Sequence, residues 1–378
     1  MKISLISPIR PISHCLLALT LAAATLVQAG PSEAAPDLAA QTGATNRSGA
    51  LDQNEAYVNF SESPEVAQFI DDMVSQHGFE RTALTALFAQ VQHVDSTIQL
   101  MKPAPPGKPK NWQAYRQRFV EPVRIDAGVK FWKAHADALA HAQKEYGVPA
   151  EIIVAIIGVE TVYGRITGNF RVLDALTTLA FDYPETPTRA ARMAYFRGEL
   201  ESALLISRQQ AIDPLSLLGS YAGAIGLPQF MPSSIIKYAI DFDGDSRIDL
   251  RNSAHDAIGS VAHFLIKHGW QRSDPGALVY SAHVSPGKDW ERFIDLALAA
   301  TLSQDQLQAA GVSTDVPPPQ GMLFGLVDLQ NGVEATEYWL GSNNFFAITQ
   351  YNRSYFYAMS VIELARAIRL AGRFGLEL

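Results

Sequence analysis

Cysteine and clustered positive charge are the two things this chain most obviously lacks. Of its 378 residues only Cys15 is a cysteine. Beyond that position there is no disulfide, no thiol nucleophile and no cysteine metal site. Charged residues make up 18% of the chain, with 30 Lys and Arg against 38 Asp and Glu, for a net charge of −8. No run of Lys or Arg offsets that balance, so a nucleic-acid partner, which needs clustered cations against phosphate, is excluded. Internal repeats and heptad arrays are also missing, which removes solenoids and coiled coils. One long apolar stretch exists, "CLLALTLAAATLV" (Cys15 to Val27), and it is too short to span a membrane. Lys2 and Arg10 precede it and "VQAG" follows. It reads as a secretory signal peptide over residues 1–29, cleaved near Ala29. Lipidation of Cys15 wants a small residue just before it, and His14 stands there. The expectation is an exported, soluble monomer with no stable membrane anchor.

What is present is ordinary apolar material, 48% hydrophobic and 10% aromatic, enough for a large core. Residues 30–60 are polar and small without periodicity and read as a flexible linker. "SPEVAQFIDDMVSQHG" (Ser63 to Gly78) carries its apolar residues at helical spacing, with Ser63 as cap, Pro64 in the first turn and Gly78 as stop. A second helix follows over Glu80 to Val91, then a Pro-rich connector, Lys102 to Asn111. Helical patterns cover Gly128–Tyr146, Ala150–Tyr163, Leu173–Leu179, Arg189–Gln209 and His255–Gly269. From Leu278 to Phe346 short alternating runs bounded by Gly, Pro and Asn predict a small sheet. An amphipathic helix over Ser354–Gly375 closes the chain. The predicted class is mainly α (α+β). Its parts are an N-terminal helical region at 61–110, a core at 111–272, a small β-containing domain at 273–345 and a C-terminal segment at 346–378 that returns to the core.

"IIVAIIGVETVYGRITG" (Ile152 to Gly168) places one carboxylate, Glu160, in an apolar helix. Ile156 and Ile157 lie one turn before it and Ile153 two turns before. Loss of hydration there disfavours the ionised form and raises the pKa, which suits a general acid near neutral pH. The bland reading is a structural Glu bound to a helix N-terminus or paired with Arg165 or Arg171. Asp174, Glu199 and Glu201 read as helix carboxylates among ordinary polar residues. "DFDGDSRID" sets Asp241, Asp243, Asp245 and Asp249 at every second position. This is either a solvated acidic turn or a partial EF-hand start, with Ser246 where the loop glycine belongs and Asn252 at position twelve.

"GVETVYG", "LDALTTLAFDYP", "YFRGELESALL", "GSYAGAIGLPQFMPSS" and "DFDGDSRIDL" follow one another in order. In that order and spacing the set resembles the membrane-bound lytic transglycosylase B family, whose core resembles goose-type lysozyme. The likeness runs from about residue 60 to the C-terminus, including "EYWLGSNNFFAITQYN" (Glu337 to Asn352).

That resemblance implies a goose-lysozyme-like helical core acting on peptidoglycan glycan strands in the periplasm. It implies Glu160 as the single catalytic acid/base. It implies Tyr115, Tyr195, Ser220, Gln229, Phe230, Tyr351 and Asn352 as substrate-binding residues. It also implies a structural Ca²⁺ held in an EF-hand-like loop at 241–256 by Asp241, Asp243, Asp245, the Arg247 backbone carbonyl and Asp256. Phe264 stands where relatives carry tyrosine, and Val162-Tyr163 where Arg-Trp is common. Ordinary glycosidases use two carboxylates. One suffices if the muramoyl C6 hydroxyl attacks C1 and leaves a 1,6-anhydro end. The alternatives are a hydrolytic muramidase and a non-catalytic peptidoglycan-binding protein.

Overall fold

The computed structural model describes residues 60–374, apart from 104–106, 108 and 295. The expected leader, Cys15 and the linker up to residue 59 lie outside the described residues. Those described all belong to one compact unit within Ala34–Leu378.

Fourteen helices and six strands occur among the described residues. An N-terminal group comprises α1 (Pro64–His77), α2 (Arg81–Phe88), α3 (Asp95–Met101) and α4 (Trp112–Arg116). The central helices are α5 (Pro122–Ala134), α6 (Ala136–Tyr146), α7 (Ala150–Thr161), α8 (Val172–Phe181), α9 (Arg189–Gln209), α10 (Pro232–Tyr238) and α11 (Ala254–Lys267). Then come α12 (Gln304–Ala309), α13 (Asn343–Thr349) and α14 (Tyr355–Phe374). Two short strands, β1 (Phe170–Arg171) and β2 (Leu218–Gly219), pair antiparallel. The remaining strands are β3 (Val279–Val284), β4 (Val312–Thr314), β5 (Gly325–Asn331) and β6 (Glu334–Gly341), in a four-stranded antiparallel sheet of order β4-β3-β6-β5. The protein is mostly helical with a small antiparallel sheet, as expected.

The local signals act as anticipated in α1. Ser63 Oγ accepts the Val66 amide, and Gly78 closes the helix in the left-handed region at φ 65°. Elsewhere packing overrides periodicity. The single helix expected over Gly128–Tyr146 is two helices. Its N-terminus starts earlier, at Pro122, where the Glu121 carboxylate accepts the Val123 and Arg124 amides. His135 then leaves helical geometry at φ −122°, ψ 31°, and its ring packs on Phe131 and His255. The bend directs α6 onto α11. The run Glu337–Gln350 also divides, into β6 and α13.

The main core is built around α7, whose residues from Ile152 to Thr161 are all buried. The C-terminal helix α14 returns to pack along α7 and α5. The sheet has a second apolar cluster of its own, including Trp290, Leu307, Phe324 and Leu326. Two glycines let backbone pass backbone beside α7 and β2. Gly168 sits at φ 85°, and a Cβ there would lie 2.1 Å from the Gly219 carbonyl oxygen. A side chain on Gly219 would in turn lie 2.3 Å from the Ala224 carbonyl oxygen. A carbonyl locked in a β1–β2 corner cannot yield as a flexible side chain would. Gly168→Ala should therefore destabilise the protein by roughly 1–3 kcal/mol or more. Thermal unfolding checks this, and an unchanged melting temperature would mean the corner relaxes freely.

Candidate active site

Glu160 occupies the last turn of α7, and its position depends on how that helix ends. Val162 and Tyr163 follow at φ 50° and 58°, both in the left-handed region. Such geometry is costly for non-glycine residues, above all for a β-branched one. Three side chains hold the turn. Thr161 Oγ1 donates to the Leu227 carbonyl at 2.9 Å and accepts the Gly164 amide at 3.0 Å. Buried Arg124 donates Nε to the Gly158 carbonyl at 2.9 Å and Nη1 to the Arg118 carbonyl at 2.6 Å. A cation is favoured where helix carbonyls are left over, although burial pulls the Arg124 pKa below its usual value. Finally, the Tyr163 hydroxyl fills the space where a Cβ of Gly128 or Gly158 would stand, 2.4 Å from either.

Glu160 is 8% exposed, and that opening faces a cleft of about 270 Å³. Tyr357, on α14, donates its hydroxyl to Glu160 Oε1 at 2.6 Å. The Tyr351 ring lies nearly parallel to that of Tyr357, at 14° and 6.2 Å between centroids. Its hydroxyl donates to the Pro228 carbonyl at 2.7 Å. Burial, and then the Glu160 charge, raise both phenol pKa values well above normal. Each tyrosine therefore keeps its proton and serves as a donor.

Not every residue proposed from the sequence meets in this cleft. Glu160, Tyr195, Gln229, Phe230, Tyr351 and Asn352 line it together. Tyr195 is 44% exposed, and the Arg192 guanidinium lies over its ring at 5.4 Å. Partial burial, then the nearby Glu199 charge, raises its pKa. Gln229 holds the left-handed conformation at φ 50° and donates Nε2 to the Gly226 and Thr167 carbonyls. Phe230 borders the cleft but is only 2% exposed, its ring packed on Phe264 and Tyr351. A broad platform face for a sugar is therefore not what Phe230 presents. Tyr115 and Ser220 lie outside the lining. Tyr115 packs on Phe119 and Phe356, and Ser220 Oγ accepts the Ala224 amide within its own turn. The sequence reading missed Tyr357, Arg192 and Arg353. Tyr357 sits on the apolar face of a C-terminal helix and reads as core. A signal was available, since a buried phenol needs a partner and a buried carboxyl needs a donor.

Among the described residues of this lining, Glu160 is the single carboxylate. Asp174 and Glu199 are not in ordinary polar surroundings as expected, because both are buried. Each is instead committed to structure. Asp174 accepts from Arg171 at 2.5 and 2.8 Å and from the Gln92 amide. Glu199 accepts the Ser233 amide and hydroxyl at 2.8 and 2.7 Å, and Glu201 pairs with His77. Arg171, a partner considered for Glu160, is thus held by Asp174.

The acidic loop gathers carboxylates as well. Asp241, Asp243 and Asp256 place one oxygen each within 4.8 Å of one another. Asp256, from α11, accepts the Phe242 and Asp249 amides at 2.8 Å, while burial raises its pKa. Ser246 adopts φ 71°, the conformation for which an EF-hand uses glycine at its sixth position. Asp245 is outside the three-carboxylate group and accepts the Arg247 amide at 2.8 Å. An oxygen-only cluster with one buried acid suits a hard cation such as Ca²⁺.

A helical core with one nearly buried carboxyl opening to a cleft is the arrangement of a lysozyme-like glycan-cleaving class. Residues 61–366 match the model of the transglycosylase SLT domain, and the chain belongs to that family of lytic transglycosylases. It is 43% identical over 321 residues to membrane-bound lytic murein transglycosylase B of Escherichia coli K12, covering 83% of this chain and 85% of that protein. The structure of E. coli lytic transglycosylase Slt35 in complex with calcium is 41% identical, with a TM-score of 0.72 over 84% of this chain and 97% of that one. SltB3 of Pseudomonas aeruginosa, in complex with NAG-anhNAM-pentapeptide, is 27% identical, with a TM-score of 0.66 over 82% and 80%.

Tyr357→Phe should keep the packing and remove the donor to Glu160. Hydrogen bonds to ionisable groups contribute about 1.5–3 kcal/mol, so turnover should fall roughly ten- to a hundredfold. Steady-state kinetics on purified glycan strands check this, with circular dichroism confirming the fold. Wild-type turnover would reduce Tyr357 to a packing residue.

Proposed function

We propose that Glu160 is the sole acid/base with which this peptidoglycan lytic transglycosylase cleaves the β-1,4 bond between N-acetylmuramic acid and N-acetylglucosamine. The observation that carries this reading is the cleft lining, in which Glu160 is the one carboxylate among the described residues. Glu160 gives its proton to the glycosidic oxygen as the C1–O bond breaks. The resulting carboxylate takes the proton of the muramoyl C6 hydroxyl, whose oxygen closes on C1. The product is a 1,6-anhydro ring, and no water is consumed. Well-oriented intramolecular attack reaches effective molarities of ~10⁵–10⁸ M, far above the concentration of water itself. The anhydro sugar in the SltB3 complex supports the same outcome here. Tyr357 orients the carboxyl, while Tyr195, Gln229, Tyr351 and Asn352 bind and position the glycan. Tyr115 packs on Phe119 and Phe356 and Ser220 braces its own turn, so neither is assigned a glycan contact. The place of action is the periplasm, where peptidoglycan lies.

The acidic loop is proposed to hold a structural Ca²⁺ through Asp241, Asp243 and Asp256, with Asp245 and the Arg247 carbonyl completing the set. Calcium bound to Slt35 supports this assignment. The ion would tie the loop to α11 and take no part in the chemistry.

Glu160→Gln preserves shape and loses the transferable proton, so turnover should fall at least ~10²–10⁴-fold. In ¹⁸O-water the parent enzyme should release muropeptides lighter by one water than hydrolysed ones and unlabelled at C1. Labelled reducing ends would instead identify a hydrolase, and a folded, active Glu160→Gln protein would overturn the assignment of the acid. For the loop, Ca²⁺ at a hundredfold excess over Kd should stabilise by about 2.7 kcal/mol, and Asp241→Ala should erase that gain. Equal melting temperatures in Ca²⁺ and in chelator would make the loop a polar turn.

A further inference from the structure

A second concave surface lies away from the cleft and shares no lining residue with it. Two hollows of about 360 and 500 Å³ adjoin, both bordered by Trp132 and Gln143. Helices α5, α6, α7 and α14 frame them, so the groove begins where α7 begins, at Ala150 and Glu151. Glu151 and Glu160 are nine residues apart on one rigid helix, an axial distance of about 13.5 Å.

The charge of this groove runs against that of the molecule. The protein carries a net −8, yet Lys133, Lys144, Arg272, Arg369 and Arg373 line the groove against the single carboxylate Glu151. Arg369 pairs with Glu151 at 3.2 Å. The other four cations have no ion-pair partner among the described residues. The Arg272 side chain is laid over Gly147, where any Cβ would meet it at 2.3 Å. Trp132 is half-buried at the junction of the hollows. An aromatic floor with cations around it suits a ligand that presents an apolar ring face and carboxylates together.

We infer that this groove is a second murein-binding site, taking a carboxylate-bearing glycan–peptide strand beside the one being cut. The inference rests on the peptidoglycan reading above. That polymer combines sugar rings, which stack on indole, with peptide stems and lactyl groups that carry carboxylates. A groove suits an extended chain, whereas a membrane surface calls for a flat or protruding face. Binding a neighbouring strand on the rigid α7 frame would hold the enzyme on the insoluble wall between cuts, and a short soluble substrate would not use it.

The full-length Lys133→Glu/Lys144→Glu variant tests this, with Lys133→Arg/Lys144→Arg as the charge-preserving control. Both lysines are exposed and neither belongs to the catalytic machinery. Four measurements are made: retention on and cleavage of insoluble murein sacculi at low and high salt, turnover of a soluble four-sugar glycan, binding to vesicles rich in anionic phosphatidylglycerol, and sedimentation of parent and variants. The Glu variant should bind sacculi about tenfold more weakly at low salt, with the difference shrinking at high salt. Its turnover of the soluble glycan should be unchanged, and the Arg variant should bind as the parent does. Equal retention of parent and Glu variant would overturn the inference. So would a loss confined to vesicle binding, which would mark a membrane surface, or loss of a parent oligomer in sedimentation, which would mark a self-contact. A parent that cleaves neither sacculi nor soluble glycan would overturn the peptidoglycan reading itself, which separates the two failures.

Discussion

The hydrogen bond from Tyr357 to Glu160 spans 197 positions of sequence, and the arrangement of the core depends on making it. A carboxyl in the buried stretch of α7 is tolerated only if its oxygens find partners, because an unpaired buried polar group costs more than a hydrogen bond returns. The donor comes from α14, which packs along α7. The same helix carries the chain back from the sheet, so the small β-containing part is an excursion between two core elements. The C-terminal return thus supplies the donor to the buried carboxyl as well as packing for the core.

Around that pair the backbone is held in conformations it would not choose alone. Val162, Tyr163 and Gln229 are left-handed without being glycine, and each adjoins or lines the cleft. Arg124, Thr161 and the Gly128–Tyr163–Gly158 contact supply the surrounding support. Strain of this kind survives where neighbouring structure over-determines it, and it fixes a side chain's direction tightly. In the role proposed for Glu160, one carboxyl would first donate and then accept a proton, and such fixity would serve it because no second group corrects a misplaced one.

Three of the four acids buried among the described residues illustrate why burial alone is a weak guide to catalysis. Asp174, Glu199 and Glu160 are all nearly hidden. Asp174 is neutralised by Arg171, and Glu199 is saturated by the start of α10. Only Glu160 combines burial with an opening to a cleft. The acidic loop obeys a similar logic, since Asp256 is buried within a group of carboxylates whose mutual repulsion a divalent cation would relieve.

Local chemistry in the sequence determined α1, α7, α9 and the closing helix, the presence of a small sheet and the singular Glu160, because caps, periodicity and an isolated charge act over a few residues. Tertiary structure decided the rest. The break at His135 follows from packing α6 on α11, which periodicity along one segment does not record. Placing Tyr357 beside Glu160, and leaving Tyr115 and Ser220 outside the cleft, required knowing which distant surfaces meet. The state of Glu199 likewise depended on a partner 34 residues away, whereas the ion pair of Asp174 with Arg171 is local and only its bond from the Gln92 amide is distant. Residue type and spacing specify what a side chain can do, whereas solvent access and the identity of its partner, which decide what it does, exist only once the chain has folded back on itself.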